Sequence, residues 1–372
     1  MAEAELAQDG GQRDAGSARR GGDGASGRGF AAVTSAVAAL VLGMTVASVP
    51  VPFVVESPGP AYNTLGKLDG AEVITISGRQ SYPAAGNLDL TTVYQEGGPA
   101  SDVSLLELAR SWMDPSRMIL PVRAVYPEGV TRDEVNEQNV ALMKESEETA
   151  VAAALGSLGI DYGQRLQVGS VLEGSPSQGK LEAGDRIVSV DGRAVRSLPD
   201  VQQALAAGAG EPAAVVIERA GKRATVTVAP AKREDRWVLG VGVAYSFTFP
   251  FEVEFELGQV GGPSAGLMFA LGIVDELTPG SLTEGAHVAG TGSISPDGKV
   301  GAIGGIVQKM HGARSAGATL FLAPAENCAE VVGHIPEGLA VARVATLGEA
   351  RDAVEAYGRG EDPARLPQCS WG

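Results

Sequence analysis

The feature that most constrains this 372-residue chain is a serine framed by small residues at the start of an apolar helix. It lies in the run Gly261-Gly262-Pro263-Ser264-Ala265-Gly266. Glycine lets another backbone come close, and proline fits a first helical turn, where its missing N–H costs nothing. Residues 267–274 are apolar on every side, which predicts a buried helix. Such a helix would hold the hydroxyl of Ser264 rigidly, close to free backbone N–H groups.

A serine hydroxyl attacks only when a base accepts its proton, and lysines are the candidate bases here. The chain has seven lysines, of which only Lys299 and Lys309 follow Ser264. Lys299 lies in a Pro-Asp-Gly turn sequence that predicts a solvated, protonated amine. Lys309 instead flanks an apolar stripe with helical spacing, formed by Ile306, Met310 and Ala313. Desolvation would lower the pKa of its amine, so we predict that Lys309 is the general base.

A second catalytic interpretation starts from the same serine. The spacing Gly262-x-Ser264-x-Gly266 matches the nucleophile elbow of α/β-hydrolases, which requires an acid and then a histidine downstream. The short stretch after Ser264, the proline beside it and the lack of a preceding strand-elbow-helix series disfavour this interpretation. The residues that could nominally serve it are Asp275 or Asp297 with His311 or His334.

Residues 261–324 resemble the proteolytic domain of Lon-type serine peptidases, which use a Ser–Lys dyad. The resemblance is carried by an ordered series of pieces: Gly262-Pro263-Ser264-Ala265-Gly266, Ala289-Gly290-Thr291-Gly292-Ser293-Ile294, Asp297-Gly298-Lys299-Val300, Ile303-Gly304-Gly305-Ile306-Val307-Gln308-Lys309, Gly317-Ala318 and Leu322-Ala323-Pro324. It implies that Ser264 is the nucleophile and Lys309 the base. It also implies that Thr291 is a supporting hydroxyl that orients the amine, and that neither a metal nor an organic cofactor is needed.

A second module precedes the serine and resembles a bacterial PDZ domain. The resemblance is carried by Gly174-Ser175-Pro176, Leu181-Glu182-Ala183-Gly184-Asp185-Arg186-Ile187 and Val190-Asp191-Gly192. It implies a peptide ligand, bound as an extra strand at a sheet edge. We expect the groove between a strand at 166–171 and a helix at 197–207, with 159–163 as a candidate carboxylate-binding loop. A PDZ-like spacer without peptide affinity is the alternative.

The N-terminal segment bears on cellular location. Residues 1–29 are rich in Gly, Ala, Asp and Arg and predict a disordered cytoplasmic tail. Residues 30–49 carry no charge and predict a single transmembrane anchor. Arg19, Arg20 and Arg28 precede it, which favours a cytoplasmic N-terminus and extracellular domains. A signal peptide cleaved near Val46-Ala47-Ser48 is one alternative, and a buried globular helix is another.

Cysteine content and charge agree with export. The chain has two cysteines, Cys328 and Cys369, for which an exported protein favours one disulfide over two free thiols. The formal net charge of −16 argues against nucleic-acid binding.

The sequence therefore predicts an α+β protein in which a PDZ domain is inserted into a Lon-type proteolytic domain, after one N-terminal transmembrane helix. Strands are expected over 72–77, 87–93 and 249–257, and a long helix over 133–158. The expected divisions are a tail (1–29), the anchor (30–49), strands and a connecting helix that join the protease domain (50–158), the PDZ domain (159–232), the rest of the proteolytic domain (233–357) and a C-terminal tail (358–372).

The whole chain is similar to membrane-anchored, PDZ-containing Lon-like proteases, and it contains no Gly-x4-Gly-Lys-Ser/Thr nucleotide-binding motif. This similarity implies an ATP-independent serine endopeptidase that cleaves exported or unfolded polypeptides. Lon-like domains also imply a homo-oligomer such as a hexamer. The alternative is a catalytically silent PDZ scaffold at the membrane surface.

Overall fold

The computed structural model describes residues 24–99, 101–258 and 260–370. Its helices are α1 (Gly24–Ala47), α2 (Leu105–Trp112), α3 (Val122–Val125), α4 (Arg132–Ser157), α5 (Leu198–Ala207), α6 (Gly266–Leu277), α7 (Ile306–Ala316), α8 (Cys328–Val331) and α9 (Leu347–Gly358). Short 3₁₀ turns cover Pro263–Ala265, Ala325–Asn327 and Pro363–Arg365.

The strands in the same part of the chain are β1 (Pro50–Val51), β2 (Phe53–Asn63), β3 (Lys67–Leu68), β4 (Ala71–Glu72), β5 (Ile74–Ser77), β6 (Asn87–Glu96), β7 (Val103–Ser104), β8 (Met118–Pro121), β9 (Gly163–Val171), β10 (Arg186–Val190), β11 (Arg193–Ala194), β12 (Ala213–Arg219), β13 (Lys222–Val228), β14 (Ala231–Arg233), β15 (Arg236–Val238), β16 (Val241–Thr248), β17 (Glu252–Phe255), β18 (His287–Gly290), β19 (Ser293–Ile294), β20 (Val300–Gly301), β21 (Leu320–Pro324) and β22 (Ala340–Val344).

The N-terminal helix α1 begins at Gly24, so residues 24–29 of the predicted disordered tail are helical, and residues 1–23 lie outside the described residues. Extending an existing helix adds one hydrogen bond per residue, which accounts for its continuation upstream of the apolar stretch. Large apolar side chains of α1, from Phe30 to Val46, are exposed. Among the described residues, none of the helices combines the length and the apolar character needed to cross a membrane. The anchor predicted over 30–49 therefore has no support from the structure.

One mixed sheet organises the domain that contains Ser264, in the order β22-β21-β18-β6-β2-β8, and combines strands from both ends of the chain. The strands β6, β18, β21 and β22 are mutually parallel, whereas β2 and β8 run antiparallel to their neighbours. The sheet is buried on both faces, and successive side chains along a strand pack into two different apolar clusters, one on each face. Along β21, Leu320 and Leu322 join the cluster that contains α4, α6 and α9, while Phe321 and Ala323 join the cluster that contains α7. The domain thus has three layers, with the sheet in the middle.

The central strands β2 and β6 precede the second module in sequence, so this module is an insertion in the three-layered domain. Strands β5, β6 and β17 and helix α4 lie close to their predicted positions. Strand β2 was not predicted, because it contains Pro58 and Pro60, residues that argue against an internal strand. A shift of register between Pro58 and Ala61 accommodates both prolines opposite β6.

The inserted module has its own sheet, in the order β13-β12-β10-β9-β16, with helix α5 packed beside it. A capping box between Ser197 and Asp200 fixes the N-terminus of helix α5. Strand β16 lies beyond residue 232, where the module was expected to end. It pairs with β9 along its whole length, from Val241 opposite Val171 to Thr248 opposite Gly163.

The predicted disulfide is confirmed. Cys328 and Cys369 are joined by a bond of 2.04 Å, and they are the two cysteines of the chain. Cys369 also packs against the apolar cluster that contains helix α7. The bond therefore fastens the C-terminal tail to the α7 side of the domain.

Candidate active site

Ser264 lies in the 3₁₀ turn Pro263–Ala265, immediately before α6. Gly262 introduces this turn with a φ of 97°, a conformation that strongly favours glycine. The N–H of Gly262 donates to the carbonyl of Asn139 in α4 at 3.2 Å. At the other end of the turn, a Cβ on Gly266 would lie 2.9 Å from Ile294 Cγ2, so only glycine fits there without displacement. The local sequence thus fixes the serine from both sides.

The main chain of Ser264 is also fixed from the end of β18. The Thr291 hydroxyl donates to the Ser264 carbonyl at 3.1 Å, and the Gly292 N–H donates to the same oxygen at 2.9 Å. A carbonyl has two acceptor sites, and here both are engaged. Ser264 is therefore attached to the sheet as well as to α6.

Lys309 reaches the serine from the opposite layer. It lies on α7, whose first turn follows Gly305 in the left-handed conformation. Its Nζ is 2.8 Å from Ser264 Oγ and 3.1 Å from Thr291 Oγ1. Lys309 is only 3% exposed, an unusual environment for an ammonium group. The three side chains meet just beyond the carboxyl end of β18, between the two helical layers.

Burial lowers the pKa of Lys309 from 10.5 to about 8. The cause is desolvation, which disfavours the charged amine, while the negative charge of Glu56 acts in the opposite direction. Glu56 lies on β2 and is itself buried. It accepts a hydrogen bond of 2.7 Å from Gln95 Nε2, and Tyr126 donates to Gln95 Oε1 at 2.8 Å. At pH 7 about a tenth of this amine is therefore neutral, far more than for a solvated lysine.

A cavity of about 230 Å³ opens beside Ser264 and Lys309. The carboxyl-terminal half of β6 forms one wall, and Met143 of α4 and the loop before Ser264 form others. The lining residues are Pro60, Tyr62, Leu90, Thr91, Thr92, Val93, Tyr94, Met143, Val260, Gly261, Ser264, Ala265 and Lys309. This lining gives an extended chain room beside the serine hydroxyl.

The other sequence candidates lie elsewhere. Lys299 forms an exposed ion pair with Asp297 at 3.1 Å. Asp275 accepts from the backbone N–H of Leu282, and burial raises the pKa of its carboxyl. His334 Nδ1 contacts the carbonyl of Glu330. Within the described part of the chain, none of the acid or histidine candidates for a nucleophile elbow is hydrogen-bonded to Ser264. Among all the residues that the structure describes, no group of three or more His, Cys, Asp or Glu side chains could hold a metal ion.

Sequence reasoning missed Glu56, Thr91 and Met143. Glu56 follows Phe-Val-Val and precedes Ser-Pro-Gly-Pro, a context in which a single glutamate carries no catalytic signal. Thr91 and Met143 enter the site through the pairing of β6 with β18 and through the position of α4. These are long-range contacts that a local pattern does not encode.

The backbone donors near Ser264 are fewer than the loop sequence suggests. Pro263 has no N–H, and the Gly262 N–H is already bonded to Asn139. Gly261, Ser264 and Ala265 therefore remain as candidate donors to an oxyanion formed at Ser264.

A second concave site lies in the inserted module. A cavity of about 200 Å³ separates β16 from α5. Val241 and Val243 line it from the strand, and Leu198, Val201 and Leu205 line it from the helix. The predicted position of the groove, between residues 166–171 and the helix, is wrong. Strand β16 pairs with the edge of β9 at which the peptide was expected to bind. The candidate loop 159–163 lies at the far end of β9, whereas Leu239 and Gly240 line this cavity.

Both modules are similar to known protein families. Residues 167–219 match the PDZ domain family, and residues 258–353 match the Lon protease (S16) C-terminal proteolytic domain. The Lon protease of Clostridioides difficile (strain 630) is 38% identical over 78 residues, which is 21% of this chain and 10% of that protein. Lon protease 2 of Bacillus subtilis (strain 168) is 34% identical over 95 residues, or 26% of this chain and 17% of that protein.

The chain thus spans a small fraction of the length of these curated relatives. A solution structure of GtR34C from Geobacillus thermodenitrificans is 29% identical and covers 20% of this chain and 92% of its own, with a TM-score of 0.19. The two family matches place residues similar to a PDZ domain before residues similar to a Lon proteolytic domain, and the Lon relatives agree with the second match. Residues 167–219 are thus similar to PDZ domains, and residues 258–353 are similar to the C-terminal proteolytic domain of Lon proteases.

Proposed function

We propose that this protein is a serine endopeptidase that hydrolyses polypeptides through Ser264 and Lys309. The observation that carries the proposal is the 2.8 Å contact between the Ser264 hydroxyl and a buried lysine amine. A pKa of about 8 for that amine lets it act as a base near neutral pH. The Lon-type domain match supports the same reaction class.

In this mechanism the neutral Lys309 amine accepts the Ser264 proton while Oγ attacks a peptide carbonyl. The resulting oxyanion receives hydrogen bonds from backbone N–H groups of the Gly261–Ala265 loop, where one donor can contribute about 2.7–4 kcal/mol. The protonated amine then donates its proton to the leaving nitrogen, which releases the first product. Water attacks the acyl-enzyme in the same way, with Lys309 again as base. Thr291 holds the amine toward Oγ through its 3.1 Å contact.

We further propose that the cavity between β16 and α5 binds a peptide as an added strand. The sheet ends at β16 within the described residues, so the second edge of this strand is open to a partner. The apolar lining favours apolar side chains at every second ligand position. Such a site would recruit unfolded polypeptides, and we propose that cleavage needs no ATP.

Substitution of the dyad is the direct test. We expect Ser264→Ala and Lys309→Ala each to abolish cleavage of an unfolded protein, with and without ATP, while circular dichroism stays unchanged. Lys299→Ala is the matched control, because its amine is exposed and pairs with Asp297. A fluorophosphonate probe should label Ser264 in the wild-type protein. A fully active Lys309→Ala variant would refute the dyad.

Location and assembly are separate proposals. The disulfide supports an oxidising compartment outside the cytoplasm. Attachment to a membrane by residues 30–49, with the N-terminus cytoplasmic, stays a prediction from the sequence, as does a hexameric assembly. Protease accessibility of intact cells and membrane fractionation test the first, and light scattering of the purified protein tests the second.

A further inference from the structure

One continuous stretch of chain lines three cavities in order. Residues 237–243 line the peptide groove between β16 and α5, and residues 260–265 line the catalytic cavity. Between them, residues 245–255 line a cleft of about 700 Å³ whose other wall is α4. We call it the aromatic cleft; its lining residues are Lys144, Glu147, Glu148, Val151, Tyr245, Ser246, Phe247, Phe249, Phe251, Glu252, Val253 and Phe255.

The aromatic rings of this cleft recur at every second residue. Tyr245, Phe247, Phe249 and Phe251 are all half-buried, and polar residues or proline separate them. Ring centroids are 5.9 Å apart between Tyr245 and Phe247, and 5.5 Å apart between Phe247 and Phe249. Alternate side chains of a strand share one face, so Tyr245, Phe247 and Phe249 form a row, and Phe251 lines the same cleft. An extended polypeptide laid along this row would present its own side chains at the same spacing.

The row is continuous with both flanking cavities. Val241 and Val243 line the peptide groove, and Tyr245 and Phe247 continue the same alternation into the aromatic cleft. On the opposite wall, Met143 of α4 lines the catalytic cavity, and the adjacent Lys144 lines the cleft. The cleft therefore occupies the path between the two sites.

The charged residues that line the cleft determine which side chains of a bound segment are favoured. Three glutamates line it against one lysine, Lys144. Burial, followed by the charge of Glu148, raises the pKa of Glu147, whereas Lys144 lowers it. A cleft with an aromatic floor and excess negative charge favours apolar and basic side chains.

We propose that the aromatic cleft carries an extended, unfolded segment of the substrate, rich in apolar and basic residues, from the peptide groove to Ser264. This inference rests on the proposed peptidase function. A strand whose carboxyl end lies at Gly240 runs antiparallel to β16, so its upstream residues enter the cleft. Cleavage then falls at a fixed distance from the substrate's carboxyl terminus, set by the length of extended chain that spans the cleft.

Phe247 offers the sharpest test, because its ring contacts are with the aromatic rings of Tyr162, Tyr245 and Phe249 and it belongs to neither apolar core. We expect Phe247→Ala to lower kcat/KM for a long unstructured peptide rich in Leu, Phe and Lys by about tenfold, the loss typical of a binding hot spot. Cleavage of a short ester that reaches only the catalytic cavity should not change. Phe247→Tyr should retain activity, and Trp112→Ala is the control for loss of an exposed aromatic elsewhere.

A binding measurement separates this inference from the proposed chemistry. In a Ser264→Ala background, fluorescence anisotropy of the labelled long peptide should show about tenfold weaker binding after Phe247→Ala. This result would support the cleft even if the wild-type protein failed to react with a fluorophosphonate, an outcome that would refute the peptidase function alone. Equal affinities of the two proteins would overturn the cleft.

Charge reversal tests the preferred composition. Glu252→Lys should shift the preference from a lysine-rich toward a glutamate-rich version of the same peptide, by several-fold in kcat/KM. Glu173→Lys makes the same change at an exposed position outside the three cavities and should leave the preference unaltered. Equal losses on short and long substrates, or a change of oligomeric state as the sole effect of Phe247→Ala, would overturn the inference. The last outcome would mean that another copy of the chain covers the cleft.

Discussion

Burying a charged amine beside neutral hydroxyl groups destabilises the folded protein, unless the amine loses its proton. Lys309 combines a 3% exposure with two neutral hydroxyl neighbours, Ser264 and Thr291. Glu56 is a nearby group of opposite charge, and it limits how far the lysine pKa falls. The balance between desolvation and this carboxylate sets the pH range in which the Lys309 amine is neutral.

The pH dependence of the reaction follows from that balance. We expect kcat/KM for a short ester to rise with pH in a one-proton step with a midpoint near 8, since only the neutral amine accepts the serine proton. Lys309→Arg should show no such rise, because a guanidinium stays protonated over the whole range. A flat profile for the wild-type protein between pH 6 and 9 would contradict the assignment.

Glu56→Gln provides the matched variant for this profile. Removing the negative charge removes a contribution that raises the pKa of Lys309, so the midpoint should move to lower pH. The amide can keep a hydrogen bond with Gln95, which limits structural damage. An unmoved midpoint would show that Glu56 does not act on the amine.

The same shift predicts how stability depends on pH. The folded protein releases the Lys309 proton near pH 8, whereas the unfolded chain releases it near 10.5. Between these values the unfolded chain binds more protons, so the free energy of unfolding contributed by this group rises with pH. Lys309→Met should therefore be more stable than the wild-type protein at pH 7 by ~3 kcal/mol, and the difference should fall to ~1 kcal/mol at pH 10. Urea denaturation at both pH values measures it, and a constant difference would refute the shift.

At the scale of elements, β16 belongs to two structural units. It completes the sheet of the PDZ module, and the chain then continues through β17 to the loop that carries Ser264. The sequence predicts that these residues belong to the proteolytic domain, because they follow the residues that resemble a PDZ domain. The pairing of β16 with β9 joins residues far apart in sequence, and the alternation of apolar residues does not specify the partner strand.

The groove beside β16 leads to a prediction at this scale. Val243→Asp places a carboxylate in an apolar cavity, where burial of an unpaired charge is unfavourable. We expect binding of a peptide with an apolar carboxyl terminus to weaken at least tenfold, measured by fluorescence anisotropy. Val171→Asp, on the paired strand and outside the cavity lining, is the control. Unchanged binding in Val243→Asp would mean that the peptide binds elsewhere.

The elements that the sequence predicted well have strong local signals. Helix α6 follows from an uninterrupted apolar run, and α5 from a capping residue and apolar spacing. The Ser264 loop, Lys309 and Thr291 belong to short patterns that can be read without the fold. Glu56 and the groove lining arise from strand order and from pairing across the sheets. Those contacts exist only after the chain has folded.

At the scale of the whole molecule, the disulfide fastens the C-terminal tail across a separation of 41 residues. Cross-linking a loop of this size restricts the unfolded chain and typically stabilises a protein by about 2–4 kcal/mol. Cys328→Ser combined with Cys369→Ser should lower the free energy of unfolding by that amount. Urea denaturation of the oxidised wild-type protein and of the double variant, compared with the reduced wild-type protein, measures the effect. Equal midpoints for all three would contradict a stabilising role.

The inserted module leaves and rejoins its host at neighbouring points, since Gly163 and Thr248 are partners on paired strands. An inserted module whose two ends lie side by side can be replaced without disrupting the sheet of the host domain. If the module is removed, a tight turn can connect the two ends of the host chain. The peptide specificity of such an enzyme can therefore change when the inserted module is replaced, while the domain that contains Ser264 stays the same.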